Sequence, residues 1–539
     1  MIKNYIHRLK TEFENYNAGK FGKDVMSGIT VAAVALPLAL AFGVSSGADA
    51  AAGLITAIIA GFIISAFSGA SFQISGPTGA MTAVLITIVS KYKLQGVFIV
   101  SMIAGIILLI AGICKLGKIV NIIPSPVVTG FTSGIAIIIA LGQIDNFFGT
   151  VSRGDTVIEK LTSYGSIGFS PNAQAVITGL IVIAVMVLWP KKWNTKIPSS
   201  FIGIIIAALA SNILGFDVAT VGAIPKTFLP PIRLDIAAID LKAIPQMISP
   251  AITIAALGMI ESLLCGASAS RMKNESFDAD QELIAQGIGN IIIPFFGGVP
   301  ATAAIARTSV AIKSGCQTRL TGIFHAVGLL LSMFLLSDIM SKLPLSALAG
   351  VLIVTAWRMN EWHSIKYIFR NKFKSAAAQF LVTMACTVIF DLTIAIIIGV
   401  LLAMIIFVIN AITINISLSE AKRANTAEKK PDNDGITLVY VTGIIFFANI
   451  EKLKKKLSSL DVKNTLIVSM RGVSGVDMNG ALGIIDIISD YSKAGKKIIF
   501  CGLQNSVKQM IERVDVSNDI PRDCCYSNTD KAFTEYAEA

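Results

Sequence analysis

Long apolar stretches recur along most of the chain, and they constrain its fold more than any other feature of the sequence. A helix needs about 20 residues, at about 1.5 Å each, to cross the roughly 30 Å hydrocarbon core of a bilayer. Lipid offers the backbone no hydrogen-bond partner, so such stretches are expected to be helices. Hydrophobic residues make up 54% of the 539 positions and charged residues only 15%, a balance that soluble domains seldom have. We therefore predict an all-α polytopic membrane protein with 14 transmembrane segments, near residues 25–45, 50–68, 77–90, 95–114, 123–147, 171–189, 197–214, 248–268, 281–296, 301–313, 319–339, 344–357, 374–390 and 392–413.

The positive charges indicate an orientation in the membrane rather than a nucleic-acid partner. The formal net charge is +11, but most cations stand at the ends of apolar stretches, where they orient a membrane protein. Residues 1–24 are basic and amphipathic and lack a small-residue cleavage site, so we expect a retained cytoplasmic segment. When the stretches alternate from a cytoplasmic start, more cations fall inside than outside. This predicts a multi-pass protein of the cell inner (plasma) membrane with both termini in the cytoplasm, and the prediction depends on the count of spans.

Two of the apolar stretches, 77–90 and 301–313, are too short to span, because fourteen helical residues cover only about 21 Å. Each follows a glycine-rich break that contains a proline, SGPTGA at 75–80 and GGVPATA at 297–303. Corresponding landmarks follow both breaks, first a glycine with a phenylalanine (Gly96 and Phe98, Gly322 and Phe324) and then a proline with a glycine at equal spacing (Pro124 and Gly130, Pro344 and Gly350). These landmarks indicate an internal duplication. Seven segments per half is an odd number, so the second half enters the membrane in the opposite sense. The sequence thus predicts a 7+7 inverted repeat with two half-helices, an arrangement that places a binding site near the bilayer midplane.

Two ionisable residues within the apolar stretches, Glu261 and Arg307, are candidates for that site, since charged groups are costly in lipid. Arg307 is expected about two turns into the second short helix, where its charge reinforces the positive end of the helix dipole. The other break, at Thr78, Gly79 and Ala80, adds backbone amides, a hydroxyl group and small side chains. Two opposed helix N-termini predict a site for a small anion. The alternative is a buried pair of Glu261 and Arg307 that only locks two helices together.

Three further residues bear on this site. Glu261 is unsuited to bind an anion while it is ionised, but a low dielectric favours the protonated form of a carboxyl group, which makes Glu261 the candidate proton carrier. Phe42 follows the helix irregularity expected at Pro37 and either lines the site or packs against it. His325 is interpreted as a packing or helix–helix hydrogen-bonding residue.

The sequence carries none of the patterns of a catalytic site. We find no catalytic triad, no phosphate-binding loop and no cluster of metal-ligand residues. The 7 cysteines lack the spacing of a metal site or a disulfide framework. We expect no enzymatic activity, no cofactor and no metal.

The composition changes near residue 415, where the apolar stretches end. A charged linker is expected over 415–435, and the residues beyond it alternate between strand patterns and helix faces. This alternation predicts a small cytosolic α/β domain. The expected organisation is therefore a cytoplasmic segment, a transmembrane domain, a linker and an α/β domain, at 1–24, 25–414, 415–435 and 436–539.

Several motifs together resemble those of the sulfate permease family (SulP, solute carrier family 26), and the match covers nearly the whole chain. The α/β domain resembles a STAS domain, through GIIFFAN at 443–449 and Gly472-Val473 followed by Asp477. The membrane motifs are GITVA at 28–32, LPLALAF at 36–42, QISGPTG at 73–79, ESLL at 261–264, ELIAQG at 282–287 with Asn290, and FGGVP at 296–300 running to Arg307-Thr308.

The resemblance implies a core and a gate domain within the inverted repeat, an elevator-like mechanism and a homodimer. It also implies a set of site positions. These are Phe42 on the first transmembrane helix, Thr78, Gly79 and Ala80 on the third, Glu261 on the eighth, and Ala306 and Arg307 on the tenth.

This chain departs from the family pattern in three places. STAS domains of the anti-sigma-antagonist type have a phosphorylatable residue shortly after the aspartate, where this chain has Met478-Asn479-Gly480. Members resembling sodium-coupled bicarbonate carriers have Asp where Glu261 stands and Thr where this chain has Cys265, so proton coupling is favoured over sodium coupling. Ala306 supplies no hydroxyl group to an anion.

The leading prediction is a secondary active transporter that takes up sulfate or a similar small oxyanion with protons. C4-dicarboxylates and bicarbonate stay open, because backbone amides accept these anions alike. An uncoupled exchanger or channel on the same fold is a second class. A nucleobase symporter is a third, which the STAS domain and Arg307 disfavour. The STAS domain is also a candidate module for binding acyl carrier protein or a nucleotide, although no residue establishes either partner.

Overall fold

The chain forms two units, Met1–Leu401 and Leu402–Ala539. This computed structural model describes residues 2–118, 123–154, 157–190, 198–224, 226–227, 229–235, 237, 242–390, 392–412, 415–419, 436–462, 464–515 and 525–526. Most of the linker residues expected between 415 and 435 lie outside this described part.

In the part of the first unit that the structure describes, the regular secondary structure is helical apart from two short strands. Its strands are β1 (Ser75–Gly76) and β2 (Thr302–Ala303). Its helices, the last of which continues into the second unit, are α1 (Ile2–Phe13), α2 (Ala18–Ser45), α3 (Ala50–Phe67), α4 (Gly79–Ile113), α5 (Ser125–Gly142), α6 (Ile144–Phe148), α7 (Val157–Ile167), α8 (Ala173–Leu188), α9 (Ser199–Ile213), α10 (Ile244–Lys273), α11 (Ala279–Ile292), α12 (Ile305–Lys313), α13 (Leu320–Leu335), α14 (Ser337–Met340), α15 (Leu345–Met359), α16 (Trp362–Arg370), α17 (Lys374–Ile389) and α18 (Leu392–Ala411).

Every apolar stretch identified in the sequence contains helix where the structure describes it. Within the described residues, 6 helices are long and apolar enough to cross a membrane, and shorter apolar helices accompany them. The stretches 77–90 and 95–114 form the two parts of α4, which breaks at Lys93 (φ 57°, ψ −173°). The prediction of a mostly helical membrane protein is confirmed.

The second short helix begins later than its sequence suggested. The apolar stretch was expected to be helical from residue 301, but α12 begins at Ile305, because the preceding residues are extended and include β2. Arg307 therefore lies in the first turn of α12 and not two turns into it. The side chain of Arg307 therefore begins near the N-terminal end of the helix.

The helices of the first unit pack as two bundles. The first bundle consists of α2, α3, α4, α10, α11, α12 and α13. The second bundle consists of α5, α6, α8, α9, α15 and α17. Contacts of α4 with α5 and of α2 with α9 and α15 join the two bundles.

Glycines allow α2 and α3 to pack with almost no side chain between them. A Cβ atom on Gly53 would lie 2.1 Å from the backbone oxygen of Ala39, and one on Gly43 would lie 2.4 Å from that of Asp49. Neither backbone oxygen can move aside as a side chain would. Small residues let membrane helices approach closely in this way.

The amino-terminal helix α1 is fixed to the first bundle by ion pairs. Arg319, which precedes α13, binds Oε2 of Glu12 with Nη2 at 2.7 Å and with Nε at 2.9 Å. Both side chains are at least nine-tenths buried, and Arg8 pairs with Asp278 at 3.3 Å. Residues 1–24 thus include a helix whose charged side chains bond to the bundle.

Asp24, near the beginning of α2, is completely buried and holds the connection between α12 and α13. Its carboxylate accepts the backbone N–H groups of Gln317 (2.7 Å) and Thr318 (3.0 Å). It also accepts the hydroxyl groups of Thr318 (2.7 Å), Thr321 (2.8 Å) and Tyr16 (3.0 Å). Burial raises the pKa of Tyr16 to about 12, and the bond to Asp24 acts in the same direction, so Tyr16 remains a donor at physiological pH.

The second unit contains a mixed five-stranded sheet with helices α19 (Ile450–Ser458), α20 (Met478–Lys493) and α21 (Asn505–Val514). The strand order is β3-β4-β5-β6-β7, with β3 antiparallel to β4 and the other pairs parallel. The strands are β3 (Asn415–Ser419), β4 (Ile436–Ile445), β5 (Thr465–Val476), β6 (Lys497–Cys501) and β7 (Cys525–Tyr526).

Two details of this unit refine the sequence-based expectation. Residues 415–419, expected to begin the linker, form β3 instead, because Ile416 and Leu418 alternate with serines as in a strand. Asp477 is the N-cap of α20 and accepts the N–H of Gly480 at 2.7 Å and that of Phe447 at 3.1 Å. The aspartate of the STAS motif thus joins two loops at this end of the sheet.

We predict that Asp24→Asn lowers the free energy of unfolding by about 3 kcal/mol, because the new amide places a donor among groups that already donate. The measurement is thermal unfolding of the purified protein followed by tryptophan fluorescence. Glu14→Gln is the control, since Glu14 is exposed and its change is expected to leave the midpoint unaltered. Equal midpoints for Asp24→Asn and the wild type would contradict the prediction.

Candidate functional site

The two strands of the first unit bring the beginnings of α4 and α12 together. β1 and β2 pair antiparallel, with Ser75 opposite Ala303 and Gly76 opposite Thr302. Each strand leads into a helix within a few residues, so antiparallel pairing sends α4 and α12 in opposite directions. Their N-terminal ends therefore face each other across the strand pair.

The extended segment before α12 is held by side chains from three helices. Thr56 of α3 accepts the N–H of Val299 at 2.7 Å. Asn290 of α11 accepts the N–H of Ala301 at 2.8 Å and donates to its carbonyl oxygen at 2.9 Å. Ser262 of α10 accepts the N–H of Ala303 at 3.2 Å. These side chains bond every second residue of the segment, as a neighbouring strand would.

The extended segment before α4 is held in the same way. Gln286 of α11 donates to the hydroxyl group of Ser75 at 2.8 Å. Thr308 of α12 accepts the N–H of Ile74 at 3.1 Å. Gln73 donates to the carbonyl oxygen of Ser262 at 2.7 Å. The N–H group of Ile74 thus has a protein partner, and the other two bonds fix side chains of the segment. Partners supplied by protein are the condition for placing non-helical backbone inside a membrane.

The first N–H groups of both helices have no partner among the described residues. At the beginning of α4 these are the groups of Gly79 and Ala80, because the side chain of Thr78 reaches only the N–H of Met81. At the beginning of α12 they are the groups of Ile305, Ala306 and Arg307, where no side chain caps the helix. Free amides at a helix N-terminus attract anions.

Arg307 reaches from one helix beginning to the other. Its side chain is 1% exposed, and Nη2 donates to the carbonyl oxygen of Pro77 at 2.7 Å. Nε and Nη1 are buried and have no partner in the described structure. A Cβ atom on Gly76 would lie 2.2 Å from Nη1, so the glycine makes room for the guanidinium group. A cation with two unpaired donor nitrogens therefore lies next to the start of α4.

Glu261 bonds to the start of α4 and not to Arg307. Its Oε2 accepts the hydroxyl group of Thr78 at 2.8 Å. No ion pair joins Glu261 to Arg307, although both lie in the described part of the chain. The geometry does not support the alternative of a locking pair, and it leaves the two residues free for separate functions.

The remaining predicted positions differ in exposure. Phe42 is 5% exposed, and a Cβ atom on Gly79 would lie 3.2 Å from its ring. Ile139 of α5 also covers Gly79. Ala306 is exposed at the beginning of α12, and Ala80 is completely buried. One helix beginning is thus open, whereas the other lies under a residue of the second bundle.

Sequence reasoning did not assign a function to the side chains that hold the two extended segments. On α11, Glu282, Gln286 and Asn290 are polar at four-residue intervals, and each is at most 1% exposed. That periodicity marks one face of a helix and was a usable signal. Thr56 and Ser262 gave no comparable signal, because single hydroxyl residues are common in membrane helices.

The expectations about metals and His325 also concern this region. The described residues contain no group of three or more His, Cys, Asp and Glu residues able to hold a metal ion. His325 is completely buried near Gly61 of α3, and neither of its ring nitrogens has a hydrogen-bond partner there. Its interpretation as a packing or helix–helix hydrogen-bonding residue stays a prediction.

Two facing helix beginnings with free N–H groups lie within a bundle of apolar helices, and a separate α/β domain follows in the chain. These features define the class of polytopic membrane proteins that carry an additional α/β domain. Comparison with known proteins identifies its family. Residues 21–386 match the sulfate permease family, and residues 429–532 match the STAS domain. The chain belongs to the sulfate permease family, a family of sulfate and bicarbonate transporters and not of enzymes.

Similar proteins cover almost the full chain. The "Putative sulfate transporter YvdB" of Bacillus subtilis is 33% identical, with 97% of this chain and 99% of that protein aligned. The "Bicarbonate transporter BicA" of a Picosynechococcus species is 27% identical, with 95% and 94% aligned.

Solved structures have the same fold. Murine Slc26a9, described as an anion transporter in the inward-facing state, has a TM-score of 0.85 at 18% identity, covering 98% of this chain and 93% of that chain. The transmembrane domain of a cyanobacterial BicA has a TM-score of 0.66 at 30% identity, covering 71% and 98%. The resemblance that the motifs suggested is confirmed.

Proposed function

We propose that this chain is a secondary active transporter that takes up sulfate or a similar small oxyanion together with protons. The observation that carries the proposal is the set of free N–H groups at the two facing helix beginnings, with Arg307 between them. Backbone N–H groups at a helix beginning donate hydrogen bonds to the oxygens of an anion, so direct contact with a charged side chain is not needed. In this proposal Phe42, Thr78, Gly79, Ala80, Ala306 and Arg307 form the binding site.

Sulfate is the first substrate to test, because the relative with 33% identity is named as a putative sulfate transporter. Bicarbonate and C4-dicarboxylates follow, since a relative with 27% identity is named as a bicarbonate transporter and amides accept carboxylate oxygens equally well. Arg307 favours an anion over a neutral nucleobase.

Proton coupling through Glu261 is supported by its neighbours. The carboxylate bonds to Thr78, at the beginning of the helix that presents free amides, so its charge opposes an anion there. Cys265, one turn further along α10, points its sulfur at Thr308 (3.4 Å). A thiol is a poor ligand for a hard cation such as sodium, which prefers oxygen.

The wider organisation is part of the same proposal. We infer fourteen spans in a 7+7 inverted repeat, with the first bundle as the moving core and the second as the gate of an elevator-like homodimer. Both termini lie in the cytoplasm, and the protein lies in the cell inner membrane. The domain borders are those expected from the sequence, with the strand at Asn415–Ser419 assigned to the STAS domain.

A panel of anions on the purified protein tests the substrate. We predict that sulfate raises the thermal unfolding midpoint more than bicarbonate, succinate or chloride does at the same concentration and pH, because binding to the folded state stabilises it. A larger shift with bicarbonate or succinate would reassign the substrate and leave the anion site in place.

Two substitutions test the position of the guanidinium group. Arg307→Ala is expected to abolish sulfate uptake into proteoliposomes. Gly76→Ala keeps the charge but displaces Nη1, so the half-saturating sulfate concentration is expected to rise about tenfold.

Gly165→Ala is the matched control for Gly76→Ala, because a Cβ atom there meets nothing within 4 Å. It is expected to transport like the wild type. Unchanged uptake by correctly folded Arg307→Ala protein would refute the anion site.

The coupling residue is tested by Glu261→Gln. A neutral side chain that cannot release a proton is expected to abolish sulfate accumulation driven by an acid-outside pH gradient, while sulfate exchange without a gradient continues. Accumulation at the wild-type level would remove Glu261 from the mechanism. Electrical recording from the same liposomes tests the alternative, since a large sulfate current without saturation would indicate a channel.

A further inference from the structure

The hydroxyl group of Thr78 joins the proposed proton carrier to the proposed anion site. Its Oγ1 donates to Oε2 of Glu261 at 2.8 Å. The same oxygen faces the N–H of Met81 at 3.5 Å, as the N-cap of α4. The side chain is only 8% exposed, so protein neighbours decide where its hydrogen points.

We infer that Thr78 couples proton binding to anion binding by reversing its hydrogen bond with Glu261. The hydroxyl hydrogen is held by Glu261 while that carboxylate is ionised, and it is released toward the anion once the carboxyl group is protonated. This inference rests on the proposed function and adds a mechanism to it.

The chemistry follows from the number of hydrogens on each group. A threonine hydroxyl has one hydrogen to donate and can accept at the same oxygen. An ionised carboxylate can only accept, so it takes that hydrogen. A protonated carboxyl group has its own O–H, which it donates to Oγ1 of Thr78. The hydroxyl group then turns its hydrogen elsewhere. The proton comes from hydronium in the surrounding water, so one O–H bond of hydronium breaks, leaving water, as the O–H bond of Glu261 forms.

The released hydroxyl hydrogen lies next to two backbone N–H groups that belong to the proposed anion site. Gly79 and Ala80 follow Thr78 directly, and their N–H groups have no partner in the described structure. An anion at the beginning of α4 therefore gains a third donor when Glu261 is protonated. The loss of the negative charge of Glu261 acts in the same direction.

No other titratable side chain on α10 or on the described elements packed against it bonds to Thr78. On the packed elements these side chains are Arg307 and Lys313 on α12, Asp280 and Glu282 on α11, and Lys91, Tyr92 and Lys93 on α4, and on α10 they are Cys265, Arg271 and Lys273.

Protonation of Glu261 has two effects, the release of the Thr78 hydroxyl hydrogen and the loss of the negative charge. Removing only the hydroxyl group separates them. Thr78→Val keeps the shape of the side chain and leaves the charge of Glu261 to act alone. Thr78→Ser keeps a hydroxyl group and is the matched control. Sulfate affinity of the purified full-length protein is measured by calorimetry from about pH 5 to about pH 9, which covers the range of a perturbed carboxyl group.

The wild type and Thr78→Ser are expected to bind sulfate more tightly at the acid limit than at the alkaline limit. In Thr78→Val the ratio of the two affinities is expected to be about tenfold smaller, as for loss of one hydrogen bond to a charged group. The loss is confined to the acid limit, because at the alkaline limit the hydroxyl group is already occupied by Glu261. Thr78→Ala is the second variant and is judged by the same ratio.

An equal loss of affinity at both limits, or an unchanged ratio, overturns the inference. Glu261→Gln separates this failure from failure of the proposed function. A pH dependence that survives in Glu261→Gln removes Glu261 as the proton carrier and overturns both. If the pH dependence disappears there while Thr78→Val keeps the wild-type ratio, only the hydroxyl step is wrong.

Discussion

The antiparallel pairing of β1 with β2 is the contact on which the rest of the first unit depends. Two stretches of backbone leave the helical conformation in a region where lipid cannot satisfy them. They pair with each other over two residue pairs. Thr56 and Asn290 bond to residues that precede β2, and Ser262 and Gln286 bond to residues within the two strands. Without these bonds α4 and α12 would have no defined beginning, and their amides would not converge.

The same strand pairing divides the polar groups near it into those that hold the fold by hydrogen bonds and those that have no hydrogen-bond partner in the described structure. Carbonyl and N–H groups of the extended segments are bonded, whereas the first amides of the helices are not. Arg307 belongs to both classes, because one of its nitrogens supports Pro77 and two are unused. For the proposed anion site this means that the donors are already fixed in place, so little reorganisation accompanies binding. In the proposed function the centre distinguishes anions by charge and size, because backbone donors carry little information about the chemical identity of an anion.

Sequence reasoning recognised the breaks because their length and glycine content conflict with a spanning helix. It placed Thr78, Gly79, Ala80 and Arg307 near one another through the matched repeats. It missed the late beginning of α12 at Ile305, because apolar composition does not distinguish an extended segment from a helix. The bonds of Asn290 and Ser262 depend on helices distant in the chain, which periodicity alone does not bring together. The strand at Asn415–Ser419 was hidden by the change of composition that marked the end of the apolar stretches.

The attachment of α1 has a mechanical consequence. Glu12 and Arg8 bind residues that belong to the first bundle or border its helices, so the amino terminus is tied to that bundle. If that bundle is the part that carries substrate, a group fused to the amino terminus moves together with the bundle. A fluorophore attached there would report the position of the bundle during the transport cycle, and a bulky partner bound there would lower the rate of transport.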